Sequence, residues 1–541
     1  MSSFWPLLRM RWRRDAGQLA IWIVGAVFLA ASAVVGVRGT FPTETDRAAL
    51  LATAVANPVV LLFRGLPSGT DEGAFAAFLI LPFVALLAAL MSTFLAVRHT
   101  RGDEDAGRAE MIAATPAGRG VPLAATVVHG ILANIVLGTL VATSLVAFGY
   151  APAGSVGMGT AAALTGIVFL GVALVAASLA GSSRTANAIG VWAVLLTYLA
   201  CGIGNALGTP DADLQRMTSA PLAWASPFGW AENVRPYDAD AAAALLPFAA
   251  AIPVAVAVAV ALSRGRDVGG ALLPTRVGRA TAGGALSGPL GLVWRESRGA
   301  VVGWAVGGGV VGLLSTRLAA VIAEASDTIP SVQALLQTLA AQGSLAQGAV
   351  EVFFTLAGIL AACAGIQTAL RARQDEAAGL AEPVRASAVG PVRWVAAYLI
   401  VALAAVGICL AAAVAGAALG QSATDASDTT LVRDAAVSAV GQAVAAAVLV
   451  IVATLVVVVA PRAAVPIGWT LVGLATVVGL FGPLLGLPDA VVDASPFAVA
   501  PRIDGDAIDL RGGGWLLVTT TAVGFGLALT AVRRRELAPE R

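Results

Sequence analysis

The sequence predicts an all-α polytopic membrane protein with twelve transmembrane helices arranged as two parallel six-helix repeats. The chain of 541 residues is 58% hydrophobic and only 12% charged. A soluble protein carries about 25% charged residues, so this chain has too few to cover a water-exposed surface. Apolar runs recur along the whole chain, and short motifs of the first half return in the same order in the second half.

The apolar runs predict the spans. A bilayer core of about 30 Å needs about 20 apolar residues per helix. All 33 basic residues are arginine. An even number of spans places both termini on the same side of the membrane, and most of the arginines fall on that side. The positive-inside rule therefore predicts cytoplasmic termini in the cell (plasma) membrane. The twelve predicted spans are 18–38, 73–97, 120–148, 158–181, 186–206, 242–262, 299–321, 349–371, 393–420, 435–460, 464–484 and 514–532.

Ordered matches between the two halves indicate an internal repeat. Trp12-Arg13 returns as Trp294-Arg295, and the segment DEDAGRAE at 103–110 returns as DEAAGLAE at 375–382. The halves are predicted as residues 1–275 and 276–541. Because each holds an even number of spans, they share one topology and are related by an axis along the membrane normal. This architecture leaves a central interface and favours a transporter over duplication for packing alone.

An acidic segment lies between the second and third spans of each half. Asp103, Gly107 and Glu110 are spaced so that they share one face of a helix. The alternative is that the acids only solvate a loop and cap the next helix. Because the segment recurs, we expect it to dock into a basic groove on a partner protein. The predicted docking residues are Asp103, Glu104, Gly107, Glu110, Arg119, Asp375, Glu376, Gly379, Glu382 and Arg393.

Two further recurring segments are expected near the membrane surfaces. A basic, tryptophan-containing stretch begins each half, with Trp12 and Arg13 in the first and Trp294 and Arg295 in the second. It predicts an amphipathic helix at the cytoplasmic interface, acting as an anchor and lever. Before the sixth span of each half, aromatic and proline residues predict short helices that dip into the outer leaflet, with a plain loop as the alternative. Their residues are Ser226, Pro227, Phe228, Ser495, Pro496 and Phe497.

The composition also excludes several kinds of site. The chain contains no lysine, so it cannot form a P-loop. Its two histidines, His99 and His129, are not near a cysteine cluster, so no metal or other cofactor is predicted. Only His129 is a candidate for a proton relay inside a span, which argues against ion coupling. The net charge of +1 gives no reason to expect nucleic-acid binding.

These segments together resemble an ABC-2 type permease. Two such units in one chain resemble the actinobacterial exporters of polyketide antibiotics, the tetronasin-transport type. The second half departs from the pattern, with Pro383 after Glu382 where the first half has Met111. The resemblance is carried by Trp294-Arg295, DEDAGRAE with Thr115 and Arg119, Ser226-Pro227-Phe228, and RGRDVGGALLP at 264–274.

The resemblance implies the permease subunit of an ATP-driven exporter of hydrophobic or amphiphilic, antibiotic-like or drug-like compounds. Its implied partner is an ABC ATPase, expected as a homodimer, which binds ATP and Mg²⁺, engages the docking helices and hydrolyses ATP, so this chain is not an enzyme. One alternative is an ion-coupled 6+6 secondary transporter, because RGDEDAGR at 101–108 faintly resembles a loop of that superfamily. Another is a non-transporting ABC-2 protein used in resistance or sensing.

Overall fold

A computed structural model describes residues 3–56, 58–115, 117–118, 120–238, 242–267, 269–273, 283, 288–328, 345–422, 430–481, 488–504, 507–509, 522, 524 and 526. The chain divides into two compact units, Met1–Gly278 and Arg279–Arg541, here unit 1 and unit 2. The predicted boundary after residue 275 falls outside the described residues.

Eleven helices in the described ranges are long and apolar enough to cross a membrane. This confirms the prediction of an all-α polytopic membrane protein at its coarser level. The twelfth predicted span, 514–532, lies outside the described residues except at 522, 524 and 526, which are helical. The twelve-span count and the side of the termini therefore stay predictions.

The described residues of unit 1 form six long helices joined by shorter elements. Strands β1 Thr209–Pro210 and β2 Met217–Thr218 pair antiparallel, and 3-10 helices cover Pro221–Ala225 and Ala242–Leu245. Its α-helices are α1 Phe4–Thr40, α2 Glu44–Ala56, α3 Pro58–Phe63, α4 Glu72–Arg98, α5 Arg101–Asp105, α6 Arg108–Ala113, α7 Val121–Ala147, α8 Pro152–Leu179, α9 Ser183–Ala206, α10 Pro227–Asn233 and α11 Leu246–Arg264.

The long helices of unit 1 alternate in direction. Arg14, near the start of α1, contacts Asp103 of α5, and Asp105 of α5 contacts Ser183 at the start of α9. We call this end of the unit the hairpin end, after the helical hairpin α5–α6. At the opposite, distal end, the last turn of α1 pairs with the first turn of α4. Successive long helices therefore run antiparallel, as consecutive crossings of a membrane require.

Unit 2 contains five long helices among its described residues. A 3-10 helix covers Pro461–Ala463, and strands β3 Arg502–Asp504 and β4 Ala507–Asp509 pair antiparallel. Its described α-helices are α12 Pro289–Thr328, α13 Leu345–Ala377, α14 Ala381–Arg385, α15 Pro391–Ser422, α16 Thr430–Val459, α17 Ala464–Phe481 and α18 Asp489–Val492.

The predicted interfacial helix of unit 1 is not separate from the first span. Helix α1 runs without a break from Phe4 to Thr40. Leu7, Arg11, Asp15 and Leu19 are all buried at a spacing of one helical turn, so a single face packs on the bundle throughout. Trp12 and Arg13 are both exposed on the other faces.

The corresponding stretch of unit 2 behaves in the same way. Helix α12 continues through Trp294 and Arg295 into the apolar run. Trp294 packs against the buried core of the unit, whereas Arg295 is exposed. This stretch is thus the beginning of the first long helix, which starts before the apolar run in both units.

Small residues let the helices of unit 2 approach closely. A Cβ on Gly312 of α12 would lie 1.8 Å from the carbonyl oxygen of Ala413 in α15, and one on Gly308 would lie 2.6 Å from that of Cys409. By contrast, nothing lies within 4 Å of a Cβ on Gly303. Close backbone contact of this kind is typical of helix packing in membranes. There the hydrophobic effect does not drive helices together, and small residues allow the close van der Waals packing that does.

Candidate functional site

The acidic hairpin of unit 1 is held to the bundle by consecutive acidic residues. Asp103 accepts hydrogen bonds from Arg14 at 3.2 Å and from Arg108 at 2.8 Å. The next two acids engage other parts of the unit, because Asp105 accepts from the backbone N–H of Ser183 at 2.7 Å and Glu104 faces the segment after α11. Three adjacent side chains therefore tie the hairpin to α1, to α9 and to the residues that follow α11.

Glu104 contacts two arginines, Arg101, which is buried, and Arg266, whose side chain is 9% exposed. Arg266 donates to its two carboxylate oxygens at 2.8 and 2.5 Å, and Arg101 lies 2.8 Å from it. Arg101 also donates to the carbonyl oxygens of Gly270 at 2.7 Å and Ala177 at 3.3 Å. A guanidinium that donates hydrogen bonds to several acceptors at once is typical of a structural contact that fixes the orientation of the segments it joins.

The prediction that Asp103, Gly107 and Glu110 share one exposed face is wrong. Gly107 has a φ of +69°, a left-handed conformation that ends α5 and lets α6 begin in a new direction. Asp103 is buried, while Glu110 and Met111 are exposed. The burial follows from basic residues brought to the hairpin by distant parts of the chain. The outward surface consists of α6, and the predicted docking residue Arg119 lies outside the described residues.

The hairpin of unit 2 shows the same arrangement. Asp375 and Glu376, at the end of α13, are buried. Gly379 has a φ of +73°, and Glu382 after it is exposed. The predicted docking residue Arg393 is exposed near the start of α15. In both units, therefore, the acidic pair faces inward and the later glutamate faces outward.

Both histidines of the chain meet in one buried cluster at the hairpin end of unit 1. His99 and His129 each contact Oδ2 of Asp15 through Nε2, the latter at 3.1 Å. Arg98 lies 3.3 Å from the other oxygen of Asp15. Arg11, on the same face of α1, donates to the backbone oxygen of His99 at 3.2 Å. Side chains of α1, α4 and α7 are thus joined by one ionic network.

Sequence reasoning missed this cluster because it judged the histidines by their distance from cysteine. His99 follows α4 and His129 lies in α7, so the hairpin α5–α6 between these antiparallel helices brings them together. A signal was available, since both lie toward the helix ends that the hairpin joins. The ligand atoms of Asp15, His99 and His129 lie within 4.8 Å of one another. Neighbouring arginines oppose a divalent cation there, and we interpret the group as a hydrogen-bonded ion cluster.

The distal end of unit 1 contains the predicted motif Ser226-Pro227-Phe228. The Ser226 side chain accepts from the backbone N–H of Phe228 at 3.1 Å and caps α10, where Pro227 occupies the first turn. Phe228 is buried, with its ring 5.5 Å from Phe169 and 5.3 Å from Tyr198 between centroids. The motif therefore starts a short helix that is packed inside the unit.

The matching motif of unit 2 is a turn. Ser495 and Phe497 are buried, and Ser495 donates to the carbonyl oxygen of Ala475 at 2.7 Å. Pro496 lies between them at intermediate exposure. The two motifs share a buried serine and a buried phenylalanine, although only the first begins a helix among the described residues.

A buried carboxyl group lies beside the motif of unit 1. Glu232 in α10 accepts a hydrogen bond of 2.6 Å from the side-chain amide of Asn205. Burial raises the pKa of Glu232 to about 7, while the hydrogen bond from Asn205 acts in the opposite direction. This group therefore changes charge near neutral pH.

A polar cleft of about 320 Å³ also opens at the distal end of unit 1. Arg216 pairs with Asp238 at 3.1 Å, which raises the pKa of Arg216. Arg47 donates to the backbone oxygen of Thr70 at 2.6 Å. Its charged groups are occupied by one another and by the backbone, and its lining is unlike the apolar route expected for a hydrophobic cargo.

Comparison with known proteins gives two matches. The chain is 35% identical over 540 residues, 98% of its length and 94% of the relative's, to the multidrug efflux system permease protein Rv1217c of Mycobacterium tuberculosis. Residues 286–533 match the family model of the C-terminal domain of the multidrug efflux system permease Rv1217c. The first match spans both units, and the second covers most of unit 2.

Proposed function

The chain belongs to the family of multidrug efflux permeases represented by Rv1217c, and on that premise we propose that it is the permease subunit of an ATP-driven ABC-2 exporter. The exporter moves hydrophobic or amphiphilic, antibiotic-like compounds out of an actinobacterial cell. The full-length relative supports the efflux class. The ABC-2 type, the tetronasin-like substrate class and the twelve-span topology with cytoplasmic termini rest on the sequence patterns.

The proposal of a separate ATPase rests on the hairpin of unit 1. Asp103 is buried against the bundle, Glu104 and Asp105 contact other parts of the unit, and Glu110 and Met111 remain on the surface of the hairpin. A push on the tip would therefore reach α1, α9 and the end of α11 through the contacts of Asp103, Asp105 and Glu104. The absence of lysine supports hydrolysis on another chain.

The energy required is modest for such a contact. Moving a two-state protein from 1:99 to 99:1 takes about 5.5 kcal/mol of differential binding. Two ATPase subunits, each bound to one hairpin and each closing on ATP and Mg²⁺, would supply it through docking at Glu110 in unit 1 and Glu382 in unit 2. This chain itself binds no cofactor in the proposal and carries out no catalytic step.

Charge reversal at the exposed glutamates tests the ATPase partner. We expect Glu110→Arg with Glu382→Arg to abolish co-purification with the proposed ABC ATPase partner when the two are co-expressed, and to abolish efflux, while the permease stays folded. Asp213→Arg, an exposed acid of the β1–β2 connection at the distal end, is the matched control. Unchanged ATPase binding in the double variant would refute docking through these residues.

The buried cluster favours a second candidate, a proton-coupled permease. Asp15, His99 and His129 lie in or beside helices of spanning length, where ionisable groups are typical of proton pathways. Proteoliposomes that contain only this chain separate the two candidates. Uptake driven by a pH gradient without ATPase, and abolished by a protonophore, would favour proton coupling; dependence on added ATPase and ATP would favour the exporter.

A further inference from the structure

His99 lies between two carboxylates at the junction of α1, α4 and α5. Its Nε2 contacts Asp15, and its Nδ1 is 3.7 Å from Oδ2 of Asp103. Neutral imidazole can donate a hydrogen bond from only one ring nitrogen, whereas imidazolium donates from both. The position therefore complements the charged ring, which would join α1 to the hairpin through a single side chain.

The same position in unit 2 is occupied by a permanent cation. His99 precedes Asp103 by one helical turn, and Arg371 precedes Asp375 by one turn in the matching motif. Arg371 lies 2.9 Å from Glu296 of α12 and 3.6 Å from Asp375. It thus makes the contact between the first long helix and the hairpin that charged His99 would make in unit 1. Arginine stays protonated at any physiological pH, and histidine does not.

The other charged groups around His99 divide between the same two carboxylates. From α1, Arg11 lies 3.9 Å and Arg14 3.2 Å from Asp103, and from α6 Arg108 lies 2.8 Å from it. Beside His99 in the chain, Arg98 pairs with Asp15. From α7, His129 contacts Asp15 at 3.1 Å, and its ring centroid is 5.5 Å from that of His99. Asp103 keeps arginine partners when His99 is neutral, so loss of the proton loosens the junction without abolishing it.

We propose that His99 is a proton-binding site that makes attachment of the unit 1 hairpin to α1 sensitive to pH, while Arg371 keeps the hairpin of unit 2 attached at every pH. Protonated His99 bridges Asp15 and Asp103, and deprotonation breaks one arm of the bridge. The hairpin of unit 1 then opens more often than that of unit 2. The inference concerns a local equilibrium within each unit and holds whichever energy source drives transport.

Amide hydrogen exchange of the full-length chain in lipid nanodiscs tests this from pH 5.5 to 8.5. The reporter amides are those of the unit 1 hairpin, such as the backbone N–H of Gly107, which donates to the backbone carbonyl oxygen of Glu104. We expect their protection factors, corrected for intrinsic exchange, to fall by roughly threefold to fivefold as the pH rises, the scale of one lost ion-pair contact. The hairpin at 373–385 is the internal control and should keep constant protection.

Variants assign the effect to His99. We expect His99→Gln to give low, pH-independent protection, and His129→Gln to keep the pH dependence. Arg371→His should transfer the pH dependence to the unit 2 hairpin, which tests the inference without altering the cluster of unit 1. Constant protection in the unaltered protein, persistent pH dependence in His99→Gln, or a pH-independent Arg371→His hairpin would each overturn the proposal.

Discussion

Glu104 and Arg266 form a two-bond ion pair although 162 residues separate them in the chain. The pair connects the hairpin after the second long helix with the segment after the sixth. Unit 1 therefore closes on itself at the hairpin end, and the acidic segment is a structural joint as well as a surface.

Loss of the Glu104 carboxylate should destabilise unit 1. In Glu104→Ala, Arg101 and the largely buried Arg266 lose their common partner, and breaking a buried pair costs about 3–5 kcal/mol, which is the upper limit expected here. Thermal unfolding in detergent measures the change. Glu110→Ala, on the exposed face of the same hairpin, is the control and should have little effect; equal destabilisation by both would contradict a joint at Glu104.

Helix packing in unit 2 should depend on Gly312 and not on Gly303. A methyl group on Gly312 meets the backbone oxygen of Ala413, so α12 and α15 must separate, and we expect Gly312→Ala to cost about 1–3 kcal/mol. Gly303→Ala meets no atom within 4 Å and should leave stability unchanged or raise it by up to about 1 kcal/mol. The unfolding midpoints of the two variants, measured side by side, check this contrast, and a reversed order would show that the α12–α15 contact is looser.

The two distal motifs should contribute to stability through their phenylalanines. Phe228 and Phe497 are each 1% exposed, and truncation of a buried phenylalanine to alanine costs about 3–5 kcal/mol. Phe228→Ala also removes ring contacts with Phe169 and Tyr198. Denaturant unfolding of Phe228→Ala, Phe497→Ala and the exposed control Trp224→Ala tests the assignment. The prediction fails if Trp224→Ala destabilises the protein as much as Phe228→Ala and Phe497→Ala do.

Stability of unit 1 should fall as the pH rises toward 7 because of Glu232. Its pKa is about 7 in the folded protein, against about 4.3 for an unfolded glutamate, so between these values the unfolded chain holds fewer protons. Stability is therefore highest below the unfolded pKa and declines until the folded pKa is passed, by about 4 kcal/mol.

Replacing the carboxyl group of Glu232 removes this titration. We expect Glu232→Gln to flatten the dependence of the unfolding midpoint on pH between 5 and 8, and to be more stable than the unaltered protein above pH 7. Glu110→Gln, which changes an exposed carboxyl group, should keep the original slope. A slope unaffected by Glu232→Gln would assign the titration to another group.

Several features could be predicted from local pattern. Eleven of the predicted spans coincide with long helices, because an apolar run of bilayer length has few other stable forms. The hairpins could be located because each combines acidic residues with a glycine, and both Gly107 and Gly379 adopt the left-handed conformation that glycine permits.

The composition and periodicity of the chain were enough to establish its helical, membrane-spanning character and the places of its recurring motifs, because these depend on neighbours within a few turns. The inward direction of Asp103 and Glu104, the burial of Arg11, and the meeting of His99 with His129 emerged only once the chain was folded. These contacts join parts of the chain that are 30 residues apart, as with His99 and His129, or 88 residues apart, as with Arg11 and His99. A charge is buried only where such a distant partner offsets its desolvation, and no local pattern contains that information.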